Sequence, residues 1–250
     1  MHRFYSPPEQ CRGATLSLTG GEAHHALHVV RLRRGERVAV VNGAGTEFLC
    51  EVQDCARDKI QFTVAGKNSV PPPSCQITLL QAVPKGKIIE SIIQKATELG
   101  VSRIVPLLSE RVTTRLGNGS AAHKAAKWQL VAVEAIKQCG SAWLPRVEPS
   151  ITPKEFLARK ENSELPLIAS LQPGSRHARE YFRDFQNSHG RLPKSLCIWI
   201  GPEGDFTPEE AAAIQAGGAL PITLGRLVLR VETAAIYCLS ILNYELQSAD

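Results

Sequence analysis

No stretch of this 250-residue chain stays apolar for the roughly 20 residues that a membrane span requires. Nor does a basic, then apolar, then small-residue leader open it. Met1-His-Arg-Phe-Tyr5 runs straight into polar sequence, so the expected compartment is the cytoplasm. Paired cysteines are also missing. The seven cysteines, at positions 11, 50, 55, 75, 139, 197 and 238, are odd in number and none stand at C-x-x-C spacing. That argues against a disulfide framework or a zinc site; no metal is expected, and the thiols read as reduced and mostly buried. Several ligand signatures are absent as well. There is no G-x-x-x-x-G-K-[ST], which excludes a P-loop, and no G-x-S-x-G elbow or H-E-x-x-H helix. After the first strand of the larger half stands Val83-Pro-Lys-Gly-Lys87 instead of G-x-G-x-x-G, which disfavours a dinucleotide fold.

What is present is a globular composition with a net charge of +5. The charge is unevenly spread. Arg31, Arg33, Arg34 and Arg37 cluster with one acid, Glu36, among them. From Arg111 to Arg146 the bases Arg111, Arg115, Lys124, Lys127, Lys137 and Arg146 meet only Glu134. Such patches fit a polyanionic partner, for which a structured RNA is the natural choice. A solvated basic surface is the alternative.

Val70-Pro-Pro-Pro-Ser74 divides the chain, because successive prolines continue neither a ladder nor a helix. Residues 1–70 read as a small β-rich module. Arg37–Asn42 and Thr46–Val52 pair across Asn42-Gly43, a second turn falls at Arg57-Asp58, and Lys59–Ala65 alternates again. Thr19-Gly-Gly-Glu22 has the spacing of a capping box before a helix over Ala23–Leu32. After the linker at 71–74, residues 75–250 alternate strands with helices. Strands are expected at Ile77–Val83, Ile104–Leu107, Leu165–Ala169, Leu196–Ile200 and Leu220–Leu224. Helical apolar faces run through Ile88–Leu99, Trp128–Cys139 and Val231–Leu242. This α/β pattern implies a largely parallel sheet covered by helices.

In open α/β sheets, ligands lie beyond the carboxyl ends of the strands. Two loops stand there. In Gly201-Pro-Glu-Gly-Asp-Phe206 the glycines permit close backbone approach. The following helix caps itself through Thr207, Pro208 and Glu210, and Glu209 with Glu210 offsets its positive end. A neutral or cationic ligand fits such a loop better than a phosphate; a tight turn without a ligand is the plain alternative. The second loop, Leu224-Gly-Arg-Leu-Val-Leu-Arg-Val-Glu-Thr-Ala-Ala235, brings Arg226 and Arg230 to a chain reversal. Arginine is the preferred residue for phosphate and base contact, though it also snorkels over helices.

Both loops resemble those of the ribosomal RNA small-subunit methyltransferase E family, a branch of the SPOUT or trefoil-knot methyltransferases. So do Met1-His-Arg-Phe-Tyr5, His24-His-Ala-Leu-His-Val-Val-Arg-Leu32, Lys85-Gly-Lys87, Ile93-Gln-Lys-Ala-Thr-Glu-Leu-Gly100 and Glu110-Arg111. The likeness spans the chain. It implies a SPOUT domain with a deep C-terminal trefoil knot behind a PUA-like β-barrel. It implies a homodimer that uses S-adenosylmethionine to methylate N3 of one uridine in 16S rRNA of the small ribosomal subunit. Leu171, Gly201, Gly204, Leu224, Gly225, Leu227 and Leu229 are the expected cofactor residues. Arg3, His25, Arg31, Arg33, Arg34, Lys85, Lys87, Arg111 and Arg226 are the expected RNA contacts. For catalysis, Arg230 is expected to stabilise negative charge on the uracil oxygens. The proton acceptor stays open among Glu232, Glu203 and the histidines His24, His25 and His28. Two positions depart from the family pattern. Asp205 stands where a second glycine is usual. Glu134-Ala-Ile-Lys-Gln138-Cys-Gly replaces a segment that usually ends in arginine, so a basic position in an RNA-facing region is moved or lost. The rival readings are a SPOUT enzyme acting on another base or a ribose 2′-hydroxyl, and a cofactor-free RNA-binding assembly factor.

Overall fold

A computed structural model describes residues 1–112, 121–172 and 174–247, so Arg115 lies outside the described residues. The chain forms two compact units: Met1–Pro72 with Val133–Leu144, and Pro73–Ala132 with Pro145–Asp250.

The first unit is built on β1 (Arg3–Tyr5), β2 (Thr15–Thr19), β3 (Arg37–Val41), β4 (Thr46–Ala56) and β5 (Lys59–Ser69). They form one sheet in the order β1-β3-β4-β5-β2, antiparallel except for β1 beside β3. Alternation sorts its faces: Leu16 and Leu18, Phe48, Cys50 and Val52, and Ile60 and Phe62 all turn inward onto Phe4 and Val40. The expected turns at Asn42-Gly43 and Arg57-Asp58 are both present. The expected capping box at Thr19 is not. The helix α1 (Gly20–His24) starts on Gly20 at φ 60°, and Thr19 makes no side-chain cap. Glu22 instead accepts from the Tyr5 N–H at 3.0 Å and the Lys137 ammonium at 2.7 Å. An ionised carboxylate gains more from an ammonium than from the neutral amide at its own helix start. The helix then widens into a π-type segment at His25–Val30, closed by Arg31 in the left-handed conformation.

The second unit holds β6 (Gln76–Ala82), β7 (Arg103–Leu107), β8 (Arg146–Val147), β9 (Leu165–Ala169), β10 (Ser195–Ile200) and β11 (Leu220–Ile222). These form a parallel sheet in the order β11-β9-β10-β6-β7-β8. Helices α2 (Ile88–Glu98), α3 (Ala121–Cys139), α4 (Pro153–Ala158), α5 (Ala178–His189), α6 (Pro208–Ala216) and α7 (Val231–Leu246) follow the strands in chain order. The anticipated apolar faces are largely buried: Ile89, Ile92, Ile93 and Ala96 on α2, Trp128, Ala132, Ala135 and Ile136 but not the exposed Cys139 on α3, and Val231, Ala235, Cys238, Leu239 and Leu242 on α7. Trp199 of β10 packs edge-on against Phe156 of α4 at 5.2 Å. The last strand ends at Ile222, two residues short of the expected Leu224. There the Thr223 hydroxyl accepts the Gly225 N–H at 3.1 Å, and that side-chain turn replaces the ladder. Among the described residues, no helix is long and apolar enough to cross a membrane, and no cluster of side chains is suited to a metal ion.

Candidate active site

Beyond the carboxyl ends of β9, β10 and β11 lies a cavity of about 460 Å³, within the range of small-ligand sites. Three loops line it: Ala169–Leu171, Gly201–Glu203 with Asp205, and Leu224 and Gly225 with Leu227–Glu232; Ile88 closes one side. The three residues expected to act in catalysis, Arg230, Glu232 and Glu203, all line this cavity. So do the expected cofactor residues Leu171, Gly201, Leu224, Gly225, Leu227 and Leu229. Gly204 does not. Ser170 lines it without having been expected there, and Val228 and Val231, which also line it, lie inside the expected second loop without having been named as site residues. For Val228 a signal exists: it lies in a loop, flanked by leucines, and is 78% exposed.

The backbone explains the loop chemistry. Thr207 caps α6 by accepting the Glu210 N–H, and the Glu210 carboxylate accepts the Thr207 N–H in return, as the sequence predicts. The positive end of this helix is therefore satisfied internally. Gly201 has no room for a side chain: an added Cβ would stand 2.7 Å from Asp205 Oδ1 and 3.1 Å from the Phe206 nitrogen. Asp205 sits at φ 60°, in the left-handed region that glycine adopts most readily. Aspartate tolerates that conformation because its side chain bonds locally; Oδ1 accepts the Phe206 N–H at 2.8 Å. Glu203 Oε1 accepts the Lys85 N–H at 2.9 Å, tying this loop to the one after β6. Gly225 lies at φ 108°.

Arg230 stands at the N-cap of α7, exposed and making no side-chain cap. Glu232, in the first turn of the same helix, is half-buried on the cavity wall. The exposed apolar side chains Leu171, Leu227 and Val228 gather round the opening. Apolar walls, backbone exposed by glycine, three carboxylates (Glu203, Asp205 and Glu232) and one guanidinium suit a flat, partly apolar cofactor with a cationic centre.

The expected RNA contacts divide. Lys85, Lys87 and Arg226 are exposed on the second unit, and Arg31, Arg33 and Arg34 are exposed on the first. Arg3 is engaged with Glu47 at 3.2 Å and packs against Gly140. His25 is half-buried with its ring edge-on to Phe4 at 6.1 Å and its Nδ1 buried. Its neighbours His24 and His28 are exposed and adjacent, their ring centroids 4.6 Å apart. Arg111 donates to the Gly204 and Phe206 carbonyls of the β10–α6 loop, at 2.5 and 3.5 Å. Lys137, on the departing segment of α3, is nearly enclosed between Glu22 and Glu134.

An RNA methyltransferase domain model matches residues 71–243, and an RNA methyltransferase PUA domain model matches residues 18–65. Fold and site together define an RNA methyltransferase: an α/β catalytic domain with a PUA-like companion. The ribosomal RNA small subunit methyltransferase E of Synechocystis is 32% identical over 250 residues, covering 99% of this chain and 78% of that protein. Its Bacillus subtilis counterpart is 30% identical over 234 residues, covering 92% and 90%. Among solved structures, the Neisseria gonorrhoeae ribosomal RNA small subunit methyltransferase E bound to S-adenosyl methionine superposes with a TM-score of 0.83 at 28% identity, covering 98% and 97%. A Legionella pneumophila protein solved with bound SAM gives 0.86 at 32% identity, covering 97% and 96%. The chain belongs to the ribosomal RNA small subunit methyltransferase E family.

Proposed function

We propose that the chain methylates N3 of a uridine in 16S rRNA of the small ribosomal subunit, with S-adenosylmethionine as donor. The observation that carries this reading is convergence: Arg230, Glu232 and Glu203 line one cavity with the apolar and glycine residues expected to hold the cofactor. When bound, the cofactor supplies an electrophilic methyl group on a sulfonium. The protein's part is positioning, charge and proton traffic. Leu171, Leu224, Leu227 and Leu229 offer apolar faces for an adenine ring, and the glycine loops bring backbone groups close to it. Glu203 and Glu232 place negative charge on the cavity wall. Arg230 presents guanidinium N–H groups to the oxygens of a uracil anion, so that charge is met as it develops. Glu203 is engaged by the Lys85 amide, whereas Glu232 has no hydrogen-bond or ion-pair partner among the described residues. Glu232 is therefore the better-placed carboxylate to take the N3 proton. The target base must leave its stack to reach such a pocket.

On the same reading, residues 1–70 are the RNA-holding module, 71–74 the linker, and 75–250 the methyltransferase domain with its C-terminal trefoil knot. The chain acts in the cytoplasm as a homodimer. Exposed apolar residues on and before α7, Val228, Tyr237 and Tyr244, support the pairing. The deciding experiment incubates small-subunit particles lacking the modification with labelled S-adenosylmethionine, then digests the 16S rRNA for nucleoside mass spectrometry. N3-methyluridine is expected. A 2′-O-methyl product or another methylated base would replace the substrate assignment. Absence of cofactor binding would favour an assembly factor.

A further inference from the structure

The β10–α6 loop reaches its shape through a turn that the chain does not favour. Asp205 is left-handed at φ 60°, one of three non-glycine residues with positive φ among those described. Its amide donates to the Pro202 carbonyl at 2.9 Å. The conformation leaves the carbonyls on either side of it, those of Gly204 and Phe206, to the same guanidinium. Arg111 Nη1 donates to both, at 2.5 and 3.5 Å. The arginine stem also lies along Gly204, where an added Cβ would meet its Cδ at 3.5 Å. The residue before it adds a further tie, the Glu110 N–H donating to the Glu210 carboxylate at 2.9 Å. Gly201, Pro202, Glu203 and Asp205 line the cavity; Gly204 and Arg111 do not.

We propose that Arg111 is a positioning residue for the cofactor loop. From outside the cavity its guanidinium collects the two carbonyls around Asp205 and so holds the left-handed turn that sets Gly201–Glu203 on the cavity wall. The link to a cofactor rests on the reading that this cavity takes S-adenosylmethionine; the clamp on the loop does not. The two N–H groups of Nη1 are held in the guanidinium plane and can serve one carbonyl each, where the compact ammonium of lysine serves as a point charge. Glycine at 205 would carry the same backbone shape without strain. Arg111 and Asp205 are thereby coupled: the more the turn resists its conformation, the more it needs the clamp.

The test is a double-mutant cycle of Arg111→Ala and Asp205→Gly, with Arg111→Lys as the conservative variant. In the absence of cofactor, hydrogen exchange of the 201–207 amides is expected to quicken at least tenfold in Arg111→Ala, and only two- to threefold when Asp205→Gly is present. Calorimetry is expected to show a cofactor dissociation constant raised about tenfold in the single variant, intermediate in Arg111→Lys and largely restored in the double variant. Turnover at saturating cofactor is expected to stay within about twofold. The alternative is that Arg111 contacts RNA. Arg111→Ala would then leave loop exchange and cofactor affinity unchanged, weaken RNA binding and lower the salt slope by about one; that result overturns the proposal. So does equal loss with and without Asp205→Gly. If the wild type binds no cofactor but loop exchange still follows the cycle, the clamp stands and the cofactor reading falls.

Discussion

Gly225 permits a sharp test of the cofactor assignment. It sits at φ 108°, and a Cβ built on it meets nothing within 4 Å. The first side-chain carbon of a valine there meets open space, so the effect expected is on the backbone, which a β-branched residue cannot hold in that region without strain. Residues forced into sparsely populated backbone regions cost about 1–3 kcal/mol each. The turn is exposed, so the free protein can relieve part of this by letting Thr223 to Leu227 rearrange, and the strain falls on whichever state needs the native turn. If the cofactor lies against Leu224, Gly225 and Leu227, that state is the complex. A penalty of 1–3 kcal/mol then appears as a dissociation constant raised roughly 5- to 150-fold. Gly218 supplies a matched control. It has φ 99°, a Cβ there also meets nothing within 4 Å, and it lies outside the cavity lining, just after α6. Gly218→Val should shift the melting temperature by about 2–4 °C per kcal/mol of strain while leaving cofactor affinity alone. Titration calorimetry with S-adenosylmethionine on both variants decides. An unchanged dissociation constant in Gly225→Val, or an equal loss in Gly218→Val, would refute the placement of the cofactor at this turn.

Three further outcomes are expected. Arg230→Ala should lower kcat by about 10²–10³, the effect of removing one preorganised donor, while changing cofactor affinity little; single-turnover transfer of labelled methyl measures it. Lys137→Met should destabilise the chain by about 1–3 kcal/mol, because it leaves the half-buried Glu22 carboxylate without its ammonium, and the open exposure of Glu134 keeps the loss below that of a fully buried pair. Burial pulls the Lys137 pKa down, but hydrogen bonds to Glu134 and Glu22 outweigh it and hold it above the ordinary lysine value. A raised folded pKa stabilises fully below the unfolded value, about 10.4, and that contribution is lost as pH rises through the folded one. In thermal melts, the gap between wild type and Lys137→Met should thus stay flat from neutral pH to about 9 and close only at higher pH. Among the thiols, Cys50, Cys75 and Cys238, pushed up to about 12 chiefly by burial, should resist iodoacetamide at pH 8, while the exposed Cys55 and Cys139 are modified first; peptide mapping gives the order.

The parts of the fold legible in the sequence are those fixed by neighbours along the chain. Thr207, Pro208 and Glu210 announce α6 because a capping box closes within four residues. The turn at Asn42-Gly43 and the faces of α2 and α7 are equally local. Thr19 and Glu22 show the limit: their spacing is right, but a lysine 115 positions away takes the carboxylate. Strand alternation predicts a parallel sheet but carries no information on which apolar strand lies beside which, and β11-β9-β10-β6-β7-β8 is not an order it favours. The site divides in the same way. Its loops could be located from the ends of apolar runs and from glycine, and the family resemblance supplied their occupants. Arg111 reads as one more base in a basic patch, because the carbonyls it holds lie more than ninety residues further on.

The place of β6 at the middle of the parallel sheet has a consequence during synthesis. One of its neighbours, β7, follows within some twenty residues, but the other, β10, starts about 120 residues later. At about 5–20 residues per second a ribosome takes roughly 6–24 s to deliver that strand. Throughout that interval the future centre of the sheet, with the apolar Ile77, Leu79 and Leu80, has one edge unpaired. An open apolar edge is a template for pairing with other chains. An enzyme assigned to modifying the ribosome is, while being made on one, a chain whose central strand has an open edge for nearly half of its own translation.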